Sequence, residues 1–245
     1  MNFNTVAVFK DKHGNIVSGE AQTPTIPLMH ELAAKRAPGK MRLNICLDGA
    51  EATGRSARHG AELFRAFLQA KGIDVGRAGG KKALPKDAEL VLRHNSSMRL
   101  TEISEGLMRS SSNFTANLIF LATGAKRYGY PATWAKARRA LEKEMAAALG
   151  PEAARAMRVL EGSGLSRESR VSARAMLTLL QRFRPYRAVF KTQEGIARKS
   201  GTLTGVYNLA GYLPGGRAYV IILNQGKNTR DAVLARLNGE YGAGR

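Results

Sequence analysis

Apolar residues in this chain recur at two different periods, and the changes between them predict its elements. Residues 3 to 8 (Phe-Asn-Thr-Val-Ala-Val) and 15 to 18 read as short strands around a turn at Asp11-Lys12-His13-Gly14. Residues 22 to 27 hold Pro24 and Pro27 and read as an extended linker, because each proline disfavours helix in the residue before it. A helix over 28 to 37 then stops at Pro38-Gly39. Strand 41 to 47 and helix 56 to 71 follow, the helix carrying Leu63, Phe64, Phe67 and Leu68 on one face and ending at Gly72. The Gly/Lys-rich stretch 76 to 86, with Lys81-Lys82, reads as a solvated turn, and 89 to 94 as a strand.

From Leu100 the period becomes helical, with Leu100, Ile103, Leu107 and Met108 at i, i+3, i+7 and i+8. It breaks at Ser110-Ser111-Ser112 and restarts with Phe114, Asn117, Leu118 and Leu121. Pro131 is expected to open a third helix, in which Trp134, Arg138, Leu141, Met145 and Leu149 recur near the helical period and Trp134 faces the core. Glu161-Gly162-Ser163-Gly164-Leu165-Ser166 is a turn cluster leading into helix 172 to 183, which Ser172 can cap. Strands 196 to 203, 206 to 213 and 217 to 224 come next, the last two joined at Pro214-Gly215-Gly216. Tyr219-Val220-Ile221-Ile222-Leu223 is apolar enough for a strand covered on both faces. A final helix spans about 229 to 239, with Val233, Leu234 and Leu237 toward one side and Arg230 and Arg236 toward the other. Helices, then an antiparallel sheet, then a packing helix define an α+β class.

Composition narrows the chemistry. The 245 residues are 44% apolar and 24% charged, enough for one large or two small domains with a real core. Net charge is +20, from 39 Lys and Arg against 19 Asp and Glu, so nonspecific polyanion binding in vitro is expected. No motif of dedicated nucleic-acid binding accompanies that charge. The single Cys46 forbids an internal disulfide and reads as a buried, inert thiol. His13, His30, His59 and His94 lack metal-ligand spacing, so neither a metal site nor a Ser/His/Asp triad is expected, and any serine chemistry needs a lysine base. No cofactor is called for. No apolar run reaches the roughly eighteen residues of a membrane span, and the first residues carry no signal-peptide pattern.

Lys199-Ser200-Gly201-Thr202 opens the first strand of the C-terminal hairpin, and Ser111-Ser112-Asn113 lies between two helices. Lys-Thr/Ser-Gly and Ser-x-Asn are two of the three elements of penicillin-recognising enzymes. A serine triplet between helices can equally be a plain cap for the second one. The third element, Ser-x-x-Lys, supplies the nucleophile, and no serine of this sequence is followed by lysine at the third position.

Ser111-Ser112-Asn113, the turn from Glu161 to Ser166, and Lys199 through Gly211 (Lys-Ser-Gly-Thr-Leu-Thr-Gly-Val-Tyr-Asn-Leu-Ala-Gly) together resemble the D-Ala-D-Ala carboxypeptidase/endopeptidases, the class C low-molecular-mass penicillin-binding proteins. The opening Asn2-Phe3-Asn4-Thr5-Val6-Ala7-Val8 is similar to a segment these proteins carry after their inserted domains. The resemblance implies a transpeptidase/β-lactamase-like fold, a five-stranded antiparallel sheet on a helical cluster, with this chain the second half of a family member and N-terminally truncated. Residues 1–95 would be the end of the inserted-domain region with its return strands, and 96–245 the transpeptidase-like domain. It implies cleavage of D-Ala-D-Ala, or of the D-Ala cross-link, in peptidoglycan. Ser111 would relay protons, Asn113 hold the substrate amide, and Lys199 place positive charge near Ser111. Ser200 and Thr202 would bind the substrate carboxylate, Gly201 would let a peptide approach the strand, and the Thr202 N–H would be an oxyanion donor.

The expected partners are peptidoglycan peptides and β-lactams, the expected location the periplasm or cell envelope, and the expected activity of this chain alone close to nil. A truncation face would favour self-association. Two other readings compete: a noncatalytic peptidoglycan- or penicillin-binding module, and a basic polyanion-binding protein whose affinity collapses with salt. A β-lactamase is disfavoured, because no deacylating Glu motif is identified between Asn113 and Lys199.

Overall fold

The computed structural model describes residues 5–19, 23–45, 50–76, 85 and 87–242, in two compact units, 1–95 and 96–245. Cys46, the first residues of the opening segment and the Lys81-Lys82 turn lie outside the described residues.

In the first unit, β1 (Thr5–Lys10), β2 (Ile16–Ser18) and β3 (Gly39–Asn44) form an antiparallel sheet in the order β2-β1-β3. The β1–β2 turn is closed by Asp11, whose carboxylate accepts from the His13 and Asn15 backbone N–H groups at 2.8 Å each. Helix α1 (Pro27–Ala33) and helix α2 (Ala50–Ala70) cover the sheet, burying Val6, Val8, Leu28, Met29 and Leu43 with Leu63 and Ala66 against them. Both ends of α1 are capped from afar. Glu62 of α2 accepts from the Leu28 N–H at 2.8 Å, and Lys10 Nζ donates to the carbonyls of Ala34 at 2.7 Å and Arg36 at 2.9 Å. The helix expected over 28 to 37 therefore ends at Ala33, where Lys10 collects its free carbonyls.

Two expectations are corrected here. The inward face of α2 is Glu62, Leu63 and Ala66, while Phe64 and Phe67 are exposed, since the helix is turned to bring Glu62 to the start of α1. Residues 89–94 form no strand: Leu90, Val91 and Leu92 are 66%, 92% and 80% exposed. A strand is defined by the chain it bonds to, and this segment has no ladder partner among the described residues.

The second unit begins with α3 (Leu100–Ser110), α4 (Asn113–Tyr128) and α5 (Trp134–Leu149). Phe120 of α4 packs on Trp134 of α5 with ring centroids 6.1 Å apart. Helix α5 starts at Trp134 and not at Pro131, because Thr133 supplies the cap, its Oγ1 accepting from Lys136 N at 3.2 Å. A short helix α6 (Pro151–Arg155) and the paired strands β4 (Met157–Arg158) and β5 (Arg170–Val171), none foreseen, flank the 161–166 turn. Helix α7 (Ala173–Phe183) is capped by Ser172 as its sequence predicts.

After a 3-10 turn the chain forms β6 (Lys191–Gln193), β7 (Ile196–Leu203), β8 (Val206–Tyr212) and β9 (Ala218–Asn224), all antiparallel in the order β6-β7-β8-β9. Helix α8 (Arg230–Tyr241) closes the unit. The described residues thus give four strands where the resemblance implies five. Leu209, Tyr219 and Ile221 face Leu234 and Leu237 of α8, and Ala210, Tyr212 and Val220 pack with Leu180 of α7 and Phe190. The sheet is covered on both faces, as the apolar run in β9 predicts. Gly211 lets β7 and β8 close: a Cβ there would lie 1.9 Å from the Ala197 carbonyl oxygen. β6 pairs with β7 only at Ile196, Ala197 and Arg198, so residues 199–203 keep one edge free among the described strands.

Candidate active site

The three serines at the end of α3 have three different partners. Ser110 Oγ donates back to the Gly106 carbonyl at 2.8 Å, within its own helix. Ser112 is the N-cap of α4, its Oγ accepting from Thr115 N at 3.2 Å and from the Thr115 hydroxyl at 3.0 Å. Ser111 lies between them with φ 55° and ψ 43°, left-handed backbone that a serine rarely adopts. That conformation ends α3 without lengthening α4, and Ser111 Oγ accepts from Lys199 Nζ at 2.6 Å. The triplet is therefore a cap at Ser112 and a contact across the unit at Ser111.

Lys199 lies on β7, opposite Ala210 in the register with β8. Its ammonium also donates to the Ser200 carbonyl at 3.1 Å, and burial pushes its pKa below the ordinary lysine value of 10.5. A lysine so placed gives up a proton more readily than a solvated one, and its hydrogen bond runs to a hydroxyl that can pass the proton on.

A cavity of about 370 Å³ opens here, with Ser111, Lys199 and Ser200 in its walls. Its other polar lining is Gln193 and the cations Arg109, Lys191, Arg198 and Arg230, against one acid, Asp231. None of these basic side chains is ion-paired among the described residues. Arg230, the first residue of α8, donates through Nη1 to Thr202 Oγ1 at 2.7 Å and to the Gly201 carbonyl at 3.3 Å. Gly201 and Thr202 are thereby tied to the cavity wall, on the exposed half of β7. Asn113 is half-buried on the first turn of α4 and is not in the walls of this cavity.

Arg230 and the other basic walls escaped the sequence reading, which placed Arg230 only on the polar side of the last helix. Its contact with Thr202 spans 28 residues and has no local pattern. The 161–166 turn is internal by contrast. Glu161 is buried, its carboxylate accepting from Ser163 N at 2.7 Å, from Ser166 N at 3.1 Å and from the Ser163 hydroxyl.

The site thus joins an antiparallel sheet between helices to a helix junction, a lysine on one strand meeting a serine at that junction. The structure of penicillin binding protein 4 (dacB) from Haemophilus influenzae, complexed with a β-lactam, superimposes with a TM-score of 0.60 at 21% identity, covering 84% of this chain and 55% of that one. A second structure of the same protein gives 0.54 over 79% of this chain. The profile of the D-Ala-D-Ala carboxypeptidase 3 (S13) family matches residues 52–194, and the chain belongs to that family. A D-alanyl-D-alanine carboxypeptidase of Actinomadura sp. (strain R39) is 29% identical over 218 residues, 73% of this chain and 39% of that protein. D-alanyl-D-alanine carboxypeptidase DacB of H. influenzae is 28% identical over 204 residues, 71% and 41% respectively. The chain spans about two fifths of the length of these curated relatives.

Proposed function

We propose that this chain carries the recognition and proton-relay part of a serine-type D-Ala-D-Ala carboxypeptidase/endopeptidase site, acting on peptidoglycan stem peptides in the periplasm or cell envelope. The observation that carries this reading is the 2.6 Å contact between Lys199 and Ser111, with burial lowering the lysine pKa. Ser111 relays a proton toward the leaving amine with Lys199 as its partner, and Asn113 holds the substrate amide. Ser200 and Thr202 bind the terminal carboxylate, and Gly201 keeps the strand open to an extended peptide that pairs with the free edge at 199–203. The Thr202 N–H is one oxyanion donor. Residues 1–95 are the end of the inserted-domain region and 96–245 the transpeptidase-like domain. The unpaired cations suit a substrate ending in a carboxylate, and a β-lactam, whose carboxylate offers the same chemistry, competes for the cavity.

The sequence holds no Ser-x-x-Lys pair. Loss of a triad nucleophile costs on the order of 10⁶ in rate in a well-characterised serine protease. This chain alone therefore binds such peptides without turning them over, the behaviour of a noncatalytic binding module. Intact-protein mass after incubation with a fluorescent penicillin, folded and denatured, tests this: the expected result is no adduct in either state. A stoichiometric adduct formed only by the folded chain would make one of its own serines a nucleophile and overturn the no-turnover reading.

A further inference from the structure

Arg230 differs from the other basic residues of the cavity in what it touches. One of its nitrogens bonds both Thr202 Oγ1 and the Gly201 carbonyl, at 2.7 and 3.3 Å. Its Nε is buried and has no hydrogen-bond partner among the described residues. No carboxylate pairs with it among those residues. A guanidinium offers five N–H donors in one plane and binds a carboxylate with two of them at once. Here the fork is fixed at one tooth by a threonine hydroxyl on an exposed strand, in a cavity whose walls carry more cations than its one acid, Asp231, can balance. An anion at Thr202 would complete it.

We propose that Arg230 is a specificity-determining residue that, with Thr202, receives the free C-terminal carboxylate of a peptide. The site then discriminates against a chain whose last residue is amide-linked, as at a cross-link. The proposal rests on the function proposed above and deepens it. It assigns the preference to a residue at the start of the last helix, outside the Lys199-Ser200-Gly201 motif. Peptides with a free terminus make a charge-assisted bond there, and amide-terminated peptides leave the guanidinium charge without an anion.

Calorimetric titration of the full chain with diacetyl-Lys-D-Ala-D-Ala and with its C-terminal amide tests this without requiring turnover. The wild-type chain is expected to bind the acid about tenfold more tightly than the amide. Arg230→Gln should reduce that ratio to about threefold or less, and Arg230→Lys should fall between. A ratio unaltered by Arg230→Gln overturns the proposal. So does a wild-type chain that binds acid and amide equally, although the functional reading then stands. A wild-type chain that takes neither peptide overturns the functional reading first, and the role of Arg230 with it. Circular dichroism confirms the fold of each variant, and Arg230→Lys carries the test if Arg230→Gln does not fold.

Discussion

In the turn at 161–166, a buried glutamate accepts from the backbone and the hydroxyl of the serines beside it, and the Gly162 N–H donates to Asn117 Oδ1 at 2.8 Å. In the turn at 110–113, Ser111 is exposed, its backbone is left-handed, and its hydroxyl meets a lysine 88 residues away. Both turns are short, serine-bearing and placed between helical or extended segments. The first spends its serine groups on its own glutamate and is tied to α4 through Gly162. The second leaves one hydroxyl for a distant partner, at the cost of backbone strain of about 1–2 kcal/mol. Residue type alone does not separate the two roles; the direction of the hydrogen bonds does.

The largest effect that would sharpen this contrast is at Glu161. Glu161→Ala strips the acceptor from three part-buried donors and should lower unfolding stability by about 2 kcal/mol in urea titration; a loss under about 0.5 kcal/mol would mean that the turn does not depend on its carboxylate. Ser111→Gly works in the opposite direction. Glycine removes the left-handed penalty, so stability should rise by about 1 kcal/mol even though the contact with Lys199 is lost. If the variant is instead less stable, the lysine contact supports the fold and the contrast fails.

The smallest effect is in titration. In the folded chain the Lys199 ammonium should titrate below 10.5 by nitrogen-detected NMR. Burial disfavours the charged form, so the penalty is fully present below the shifted midpoint and is relieved as pH rises through it toward 10.5. The stability of the wild-type chain relative to Lys199→Met should therefore increase across that window. A midpoint at or above 10.5 would show the amine to be solvated.

Elements with a strong period were legible. β7, β8, β9 and α7 lie within one or two residues of their expected limits, because alternation and caps are local properties. Phe64 and Phe67 were misplaced because the orientation of α2 depends on a bond from Glu62 to another helix. Leu90 to Leu92 had the composition of a strand and, among the described residues, no neighbour to make it one. The candidate site divides in the same way. Ser111 and Lys199 stand in motifs and were nameable in advance. Arg230 enters through the docking of α8 against the sheet, which no local signal encodes.

The half-covered β7 also bears on how copies of the chain meet. A free strand edge is a template for any other chain, including an identical one. On β7, among the described strands, it runs over residues 199–203, about 17 Å at roughly 3.3 Å per residue. Arg198 and Lys199 stand at its start, in a chain of net charge +20. Two copies aligned along this edge of β7 would set cation against cation, which opposes pairing of identical chains there.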